Sequence, residues 1–549
     1  MSYDVIVVGT GAGGGMAAKT LCEAGLKVLA LNPGRRVDPA RDYRNHRQRY
    51  DMPFRGFGDP RTRGTRYHDE TEYTEGLWEH EIPYTTAPGT EYEWLRVKVT
   101  GGKANFWGRS SPRLGDIDFR AATLDGFDVD WPVTYAEMAP YYSRVERYIG
   151  VASTVQGRAS NPDGEYLPPM RFRCLDHILK RGADRVGVPY LPDRIAQLTR
   201  PHGAHPPCHY CGDCSSGCDT GSFFSPTWFS IPDAERTGNL ELRTNAIVRH
   251  VLVDDRGQAS GVTYVERDTK REVDVHARAV VLAASCMETA HIMLNSRSSR
   301  WPQGIANGSG QLGRNLCDHL YGTAASGFLP QLVGSEPFPD NVSNSTIAWM
   351  PRWQNVEHPR QERFIRGYSV YPGGGCGEFP WFFRRFEGFG SSFKRTIRQY
   401  YPAPVSFTIQ APSLPSEHNY VDLDPDVQDP FGIPALRFHF RWGENELLMW
   451  EHAKEVCAEV LREAGGEQWG TAEAPQMPGN SQHETGVCRF GNDPKRFVTN
   501  RWGQCHEVPT LYVCDASLFP FPTDKTTTIS ILAFTLRTCE YLAEQLRTA

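Results

Sequence analysis

The sequence predicts an α/β protein in which a Rossmann-like nucleotide-binding domain is joined to a second domain built on an antiparallel sheet. Three observations predict it. A glycine-rich strand–turn–helix–strand pattern begins the chain, an apolar strand followed by a long helix ends it, and alternating apolar and polar residues run through 320–478. A chain of 549 residues is too long for one compact core, so we expect two domains. The nucleotide-binding domain is expected to be discontinuous, residues 1–319 with 479–549, and the second domain to cover 320–478.

The composition excludes several classes of function. The chain is 39% hydrophobic and 23% charged, with a net charge of −6, and no Lys- or Arg-rich run indicates nucleic-acid binding. No run of about eighteen apolar residues predicts a membrane-spanning helix. The first residues enter a strand directly, without a signal-peptide pattern. We therefore expect a cytoplasmic protein or, alternatively, export together with a partner that carries the signal.

The N-terminal pattern is that of a dinucleotide-binding unit. Gly9, Gly11 and Gly14 form G-x-G-x-x-G between an apolar run at 3–8 and a helical pattern at 16–24, and a second apolar run follows at 27–31. Glycines at this spacing let the backbone approach a pyrophosphate, whose charge lies at the helix N-terminus. The pattern therefore predicts nucleotide binding.

The residue expected to bind the ribose departs from the usual pattern. An Asp or Glu normally ends the second strand, whereas this chain has Asn32. An amide still forms hydrogen bonds with a hydroxyl, without the charge. Arg35 and Arg36 follow, so a 2′-phosphate, and with it NADP, stays an alternative at this point.

Further apolar runs predict the remaining strands. Residues 240–252, 279–284 and 511–514 are typical of strands of the nucleotide-binding domain, and a helix is expected over 527–547. Alternating patterns in the second domain predict the strands of one antiparallel sheet, followed by a helix at about 445–464. These strand segments are 345–353, 364–372, 404–412, 419–425 and 435–442.

Five motifs in a fixed order carry a resemblance to a known family. They are the glycine fingerprint, GGKANFWG at 101–108, VVLAAS at 280–285, HETGVCRFG at 483–491 and DASLFP at 515–520. With these motifs the chain resembles the glucose–methanol–choline (GMC) flavoprotein oxidoreductases over most of its length. Within that family it is most similar to the bacterial sugar dehydrogenases, including glucoside 3-dehydrogenases and the gluconate and fructose dehydrogenases.

The resemblance implies FAD as the cofactor. Several relatives attach FAD to a histidine inside the GG motif, and the matching residue here is Phe106, so non-covalent FAD is expected. The resemblance places the cofactor against residues from six segments of the chain, namely Gly9, Gly11, Gly14, Asn32, Gly101, Gly102, Asn105, Gly108, Val248, Asp515 and Thr527.

The resemblance also implies a catalytic base. Relatives oxidise an alcohol by removing its hydroxyl proton while a hydride moves to flavin N5, and His483 matches their general base. A second His or Asn normally lies eleven positions after the strand-end Asp, where this chain has Thr526, beside Lys525. Either residue is a candidate to stabilise the alkoxide. The expected reaction is oxidation of a secondary alcohol on a sugar or glycoside to a keto-sugar. The alternatives are an oxidase that uses O₂ directly and a flavin-bound, non-redox lyase or isomerase.

The stretch CHYCGDCSSGCDTGS at 208–222, within a cysteine-rich loop at 206–222, has two interpretations. Its spacing, C-x₂-C-x₂-C-x₃-C, is that of a bacterial ferredoxin loop, although Asp219 stands where ferredoxins have Pro. One hypothesis is an iron–sulfur cluster that passes electrons to a cytochrome c or quinone, with a small partner subunit. The other is a structural loop. The candidate ligands are Cys208, Cys211, Cys214 and Cys218.

Two long segments lack regular periodicity. Residues 37–95 form a polar loop, and loops of that length are usually functional or partner-bound. Residues 373–404 are rich in aromatic residues and arginine. Their aromatic rings are candidates to stack on a sugar, to dock a partner subunit, or only to pack the insertion onto the second domain.

Overall fold

The computed structural model describes residues 3–43, 77, 79, 81–212, 214–337, 347–356, 363–375 and 381–548. Most of the long loop predicted at 37–95, and residues 376–380 of the aromatic segment, lie outside the described residues. The strands are β1 (Tyr3–Val8), β2 (Val28–Leu31), β3 (Tyr84–Thr86), β4 (Leu191–Pro192), β5 (Leu240–Arg243), β6 (Ala246–Val253), β7 (Ala259–Glu266), β8 (Glu272–Leu282), β9 (His319–Phe328), β10 (Ala348–Trp349), β11 (Ser369–Gly374), β12 (Pro404–Pro412), β13 (Tyr420–Gln428), β14 (Pro434–His439), β15 (Glu467–Gly470) and β16 (Leu511–Val513).

The helices are distributed among these strands, as an α/β fold requires. They are α1 (Ala12–Glu23), α2 (Pro39–Asp42), α3 (Asp116–Phe119), α4 (Ala121–Asp125), α5 (Tyr135–Ile149), α6 (Cys174–Val186), α7 (Ser230–Arg236), α8 (Cys286–Asn295), α9 (Gly390–Tyr400), α10 (Glu444–Glu463) and α11 (Thr528–Thr548). Within the described part of the chain, no helix is long and apolar enough to cross a membrane.

The first sheet has seven strands and contains both ends of the chain. Its order is β5-β2-β1-β8-β7-β6, with β16 also paired to β8. The pairs β5–β2, β2–β1, β1–β8 and β8–β16 are parallel, and β7 joins β8 and β6 in antiparallel pairs. The strands predicted at 240–252, 279–284 and 511–514 are thereby confirmed.

Strand β1 is buried on both faces from Val5 to Val8, which explains the continuous apolar run over these four residues. Val5 and Val7 belong to a cluster with the inward residues of α1 and α11, whereas Ile6 and Val8 belong to the larger cluster on the opposite face. A central parallel strand covered on both sides has no position for a polar side chain. The N-terminal run YDVIVV therefore specifies the centre of the sheet.

A second sheet has the order β11-β12-β9-β15, and each neighbouring pair is antiparallel. Helices α6 and α10 pack on it through one shared apolar cluster, which includes Leu179, Phe407, Trp450 and Val460. The predicted strand at 404–412 and the predicted helix at 445–464 are both confirmed, the latter one residue earlier as α10.

The prediction of a single antiparallel sheet across 345–442 is wrong. Strands β13 and β14 form a separate sheet with β3, and β10 pairs with β4, although Met350, directly after β10, forms a single bridge to Val370 of β11. The reason is packing: Phe438 of β14 contacts the rings of Tyr84, Tyr92 and Trp94 and joins the larger cluster of the first sheet. Sequence alternation marks a strand but does not choose its neighbour.

The two ends of the chain meet through a backbone contact. A Cβ atom built on Gly13 of α1 would lie 1.9 Å from the carbonyl oxygen of Cys514, which directly follows β16. The oxygen belongs to the backbone, and the backbone of residue 13 fixes the position of a Cβ atom, so neither atom could rotate away. Glycine at this position therefore sets how closely α1 approaches the C-terminal strand.

Gly13→Ala is expected to lower the melting temperature of the flavin-free protein, because separating α1 from β16 costs roughly 1–3 kcal/mol of overpacking strain. Gly11→Ala is the matched control, since its Cβ would meet only the carbonyl oxygen of Gly101 at 4.0 Å. Calorimetry of the two flavin-free variants is the measurement. Equal melting temperatures would contradict the close approach.

Candidate active site

The predicted site residues cluster at the carboxyl end of the first sheet. Strands β1, β8 and β16 run parallel and end at Val8, Leu282 and Val513 in register. Open α/β sheets bind ligands outside this edge. Gly9 and Asp515, although 506 positions apart in the sequence, therefore lie at one edge of one sheet.

The glycine fingerprint forms a tight turn with one open position. Gly9 has φ +97° and its Cβ would lie 2.4 Å from the carbonyl oxygen of Ala283, and that of Gly14 would lie 2.0 Å from the carbonyl oxygen of Gly9. Gly11 faces open space instead and gives α1 no side-chain cap. Backbone amides at such a helix end bind phosphate oxygens, so this cradle fits the pyrophosphate of a dinucleotide.

Asn32 is buried at the end of β2, and most of its hydrogen-bonding capacity is used within the protein. Its Nδ2 donates to the carbonyl oxygens of Gly34 at 3.0 Å and Lys98 at 2.7 Å, and its Oδ1 accepts from Thr10 Oγ1 at 2.7 Å. One lone pair of Oδ1 is left to accept from a ribose hydroxyl. Asn32 thus holds the turn after β2 as well as lying at the ribose position.

The arginines after Asn32 are paired with carboxylates. Arg35 donates to both oxygens of Asp42 at 2.6 and 3.0 Å, and Arg36 donates to Glu235 at 2.7 and 2.8 Å. Guanidinium groups held in two-pronged pairs are not available for a 2′-phosphate without breaking those pairs. The structure therefore does not favour NADP.

The GG segment is folded against Asn105. Gly101 and Gly102 have φ +85° and +54°, and a Cβ on Gly101 would lie 2.5 Å from Asn105 Oδ1. Asn105 is fully buried; its Oδ1 accepts from Tyr43 at 3.0 Å and Thr227 at 2.8 Å. Because its side chain is hydrogen-bonded within the protein, Asn105 contributes by fixing the backbone conformation of the GG loop. Phe106 lies edge-on to Tyr43, and Gly108 is exposed, at a position where an added Cβ would meet no atom within 4 Å.

Asp515 organises the segment after β16. Its carboxylate accepts from Ser517 N at 3.0 Å, from Ser517 Oγ at 2.6 Å and from Thr289 Oγ1 at 2.6 Å. Burial raises the pKa of this carboxyl above its ordinary value. Thr527 precedes the first residue of α11, whereas Val248 is a buried residue of β6 paired with Tyr264.

The HETG segment contacts the other motifs. Lys103 Nζ of the GG segment forms an ion pair with Glu484 at 3.1 Å. Gly486 N donates to the carbonyl oxygen of Phe519 at 3.0 Å, within the DASLFP stretch. His483 is thereby held between the GG loop and the loop after β16.

A second histidine, which the sequence analysis did not single out, contacts His483. The Nδ1 atoms of His319 and His483 lie 3.0 Å apart, with their rings nearly perpendicular. His319 Nε2 lies 2.5 Å from the carbonyl oxygen of Thr523. His319 is 1% exposed, whereas His483 keeps part of its surface accessible. The only sequence signal was the pair Asp318-His319 directly before an alternating strand.

Asp318 holds the backbone of the same segment. Its carboxylate accepts from Gly479 N at 2.8 Å, from Ser481 Oγ at 2.5 Å and from His483 N at 3.2 Å. Two consecutive residues therefore hold His483 in place. Asp318 accepts a hydrogen bond from the backbone N–H of His483, and His319, the first residue of β9, contacts its ring. Burial, and then the charge of Glu484, raises the pKa of Asp318 to about 7.

Both imidazoles favour the neutral form. Burial lowers the pKa of His319 to about 4. Burial, followed by the neighbouring His319 and Lys103, holds the pKa of His483 well below its ordinary value of 6.5. Among the described residues, no polar group is hydrogen-bonded to His483 Nε2. The arrangement presents a neutral imidazole nitrogen able to accept a proton.

Thr526 and Lys525 occupy different surroundings. Thr526 Oγ1 donates to the carbonyl oxygen of Ser110 at 2.7 Å. Lys525 is 1% exposed, and its Nζ lies 3.0 Å from Asp118 and 2.9 Å from Asp524. A cation enclosed by two carboxylates is neutralised where it lies. This placement does not favour Lys525 as a group in contact with an alkoxide.

Two of the four cysteines of the loop, Cys214 and Cys218, are buried, whereas Cys208 and Cys211 are half-buried. Cys214 and Cys218 pack with Ile195 and Phe223, and Cys218 Sγ accepts from Ser222 N at 3.3 Å. Burial raises the pKa of the Cys214 thiol to about 12. In the described ranges, no three His, Cys, Asp or Glu side chains are arranged to hold a metal ion. The iron–sulfur hypothesis is therefore not supported.

The loop instead supports the GG segment. A Cβ on Gly217 would lie 2.3 Å from the ring of Tyr43, and the hydroxyl of Tyr43 donates to Asn105. The indole Nε1 of Trp228 donates to the carbonyl oxygen of Cys218 at 2.6 Å. These contacts agree with the structural interpretation of the cysteine stretch.

Comparison with known families gives two matches to one family. Residues 130–321 match the N-terminal model of the GMC oxidoreductases and residues 415–535 match the C-terminal model, together more than half of the chain.

Individual relatives match over the full length. The 2-methyl-1,2-propanediol dehydrogenase of Mycolicibacterium austroafricanum is 28% identical over 99% of this chain and 95% of its own length. The fructose dehydrogenase large subunit of Gluconobacter japonicus is 24% identical over 100% and 99%. The crystal structure of pyridoxine 4-oxidase from Mesorbium loti matches with a TM-score of 0.64 at 16% identity, covering 98% of this chain and 99% of that one. The last match shows a shared fold.

Gly11→Ala is expected to abolish retention of flavin, because the added methyl group enters the open space beside Gly101 that the pyrophosphate needs. The flavin-to-protein ratio after gel filtration is the measurement, with the melting temperature of the flavin-free variant as the control for folding. Retention of one flavin per chain would refute the cradle.

Proposed function

The chain belongs to the GMC oxidoreductase family and is a FAD-dependent enzyme acting on CH–OH donors, and we propose that it oxidises a secondary alcohol of a sugar or glycoside to the keto-sugar. The observation that carries the proposal is the position of His483, whose Nδ1 contacts His319 while no polar group is hydrogen-bonded to its Nε2 among the described residues; burial also lowers the pKa of this imidazole. The relative named for fructose supports a sugar as the substrate, whereas the relative named for 2-methyl-1,2-propanediol, which has only a primary and a tertiary hydroxyl, supports only the oxidation of an alcohol.

FAD fits the residues present. The open cradle at Gly11 would hold the pyrophosphate, and Asn32 would accept from the ribose. Phe106 has no atom that could form a covalent link to the flavin, so we propose non-covalent binding. When bound, FAD supplies the acceptor for the hydride that leaves the carbinol carbon.

His483 would act as the general base. Its Nε2 would accept the proton of the substrate hydroxyl, which makes loss of the carbinol hydride easier. Burial lowers the pKa of His483 and so keeps its imidazole unprotonated at neutral pH, the form that can accept a proton. His319 and Asp318 hold the ring and the backbone in place.

Thr526 would be the polar neighbour of the oxidised carbon. Its hydroxyl proton is engaged with the carbonyl oxygen of Ser110, so donation to an alkoxide requires rotation about χ1. Lys525 would act at a distance, by fixing the loop through Asp118 and Asp524. The assignment of Thr526 rather than Lys525 is part of the proposal.

The electron acceptor separates the proposal from its rivals. A relative is named as the large subunit of a fructose dehydrogenase, which supports a second subunit here; a cytochrome c or quinone as the acceptor is part of the proposal. Stoichiometric peroxide under air would identify an oxidase instead. Flavin that no alcohol bleaches under anaerobic conditions would identify a non-redox lyase or isomerase.

His483→Gln is expected to slow anaerobic flavin reduction by glycosides by about 10²–10⁴-fold, the range for loss of a general base. Stopped-flow absorbance with a panel of glycosides and polyols is the measurement. Flavin content and melting temperature should match the wild type, because only one ring is exchanged. A variant that reduces its flavin at the wild-type rate would overturn the assignment of the base.

The rate of flavin reduction is expected to stay level from about pH 8 to pH 6.5 and to fall only at lower pH. The sign follows from the lowered pKa of His483: the neutral, proton-accepting form persists below the pH at which an ordinary histidine becomes protonated. A pH series of single-turnover rates with saturating substrate is the measurement. An acidic limb centred above pH 6.5 would contradict it.

A further inference from the structure

We propose that His319 is a positioning residue that selects the tautomer of His483, so that Nδ1 of His483 carries the ring proton and Nε2 presents its lone pair to the substrate. The inference deepens the proposed function and rests on it, because it assumes that His483 is the base. None of the sequence motifs assigned His319 a role in the reaction.

The first step is the tautomer of His319. Its Nε2 lies 2.5 Å from the carbonyl oxygen of Thr523. A carbonyl oxygen only accepts, so this nitrogen must carry a proton.

The second step is the other nitrogen of His319. A neutral imidazole carries one proton, and the ring is buried with a pKa lowered to about 4. With the proton on Nε2, Nδ1 of His319 is an acceptor.

The third step transfers this constraint to His483. The two Nδ1 atoms are 3.0 Å apart, and a hydrogen bond at that distance needs one donor. Since His319 Nδ1 accepts, His483 Nδ1 must donate. The neutral His483 then has no proton on Nε2, which is the state a general base requires.

A doubly protonated His319 would have the opposite effect on the tautomer of His483. A His319 protonated on both nitrogens would donate from Nδ1 to His483 Nδ1, and a neutral His483 would then carry its proton on Nε2, where it could not accept one. Burial of His319 disfavours this state at neutral pH. The carbonyl oxygen of Thr523 thus determines, through the rings of His319 and His483, which nitrogen of His483 carries the proton.

The loop that contains Thr523 also contains Thr526. Thr523 Oγ1 accepts from Lys525 N at 3.1 Å, and Lys525 is fixed by Asp118 and Asp524. The buried ion cluster therefore fixes the carbonyl oxygen that orients His319. A purely structural His319 would require no particular proton position, and this difference can be measured.

The first experiment compares two substitutions of His319 in the FAD-loaded protein. His319→Leu removes the acceptor, and His319→Asn keeps an amide oxygen near the position of Nδ1. We expect His319→Leu to slow flavin reduction about 10²-fold or more, by analogy with the wrong tautomer in a catalytic triad, with KM unchanged. His319→Asn should recover at least about tenfold of that loss. Equal rates in the two variants would overturn the proposal.

The second experiment needs no activity and no variant of His319. Histidine-selective ¹⁵N labelling distinguishes protonated from unprotonated ring nitrogens, and the resonances lost in His483→Gln identify His483. The expected spectrum has a protonated Nδ1 and an unprotonated Nε2 on His483 at neutral pH, and a protonated Nε2 in wild-type His483 would overturn the proposal. If instead His483→Gln leaves flavin reduction unchanged, the proposed base fails while the spectrum still decides the tautomer.

Discussion

The contact between the two ends of the chain is the constraint on which the site depends. Strand β16 pairs with β8 on the side opposite β1, and Gly13 allows α1 to approach the carbonyl oxygen of Cys514. This contact is made by backbone alone, so its geometry does not vary with rotamer. It brings the glycine-rich turn after β1 and the loop after β16 to one edge of one sheet, where the ends of parallel strands leave space for a ligand.

The histidine pair is stabilised by burial without charge. A charged imidazole at either position would lie in a region of low dielectric constant, and the neighbouring Lys103 adds repulsion at His483. Nearby carboxylates are used elsewhere: Asp318 accepts backbone amides of 479 and 483, and Glu484 pairs with Lys103. The site therefore keeps both rings neutral, which suits the proposed base His483, since a base must be unprotonated before the substrate arrives.

The buried charges around Lys525 have a different role. Two carboxylates, Asp118 and Asp524, surround Lys525, and the charge of Arg352 lies near both carboxylates. Breaking one member of such a cluster leaves an uncompensated buried charge, which costs about 3–5 kcal/mol. The cluster thus fixes the loop 523–526, and with it the carbonyl oxygen on His319 and the hydroxyl of Thr526. The structure therefore indicates that Lys525 fixes the conformation of the loop and does not take part directly in the reaction.

Local patterns were sufficient for the elements that a single periodicity or motif defines. The run YDVIVV, the glycine spacing, the helix at 444–463 and the strand at 404–412 follow from the sequence because burial on one or both faces leaves a repeat that can be read locally. The motifs also placed the dinucleotide unit and pointed to His483.

Tertiary structure alone decided which partners those elements take. The pairing of β14 with β3, the contact of His319 with His483 and the ion pair of Lys525 with Asp118 each join residues more than 150 positions apart. No local repeat encodes such pairs, since a strand's alternation is the same for any neighbour and a histidine's tautomer depends on the group it faces.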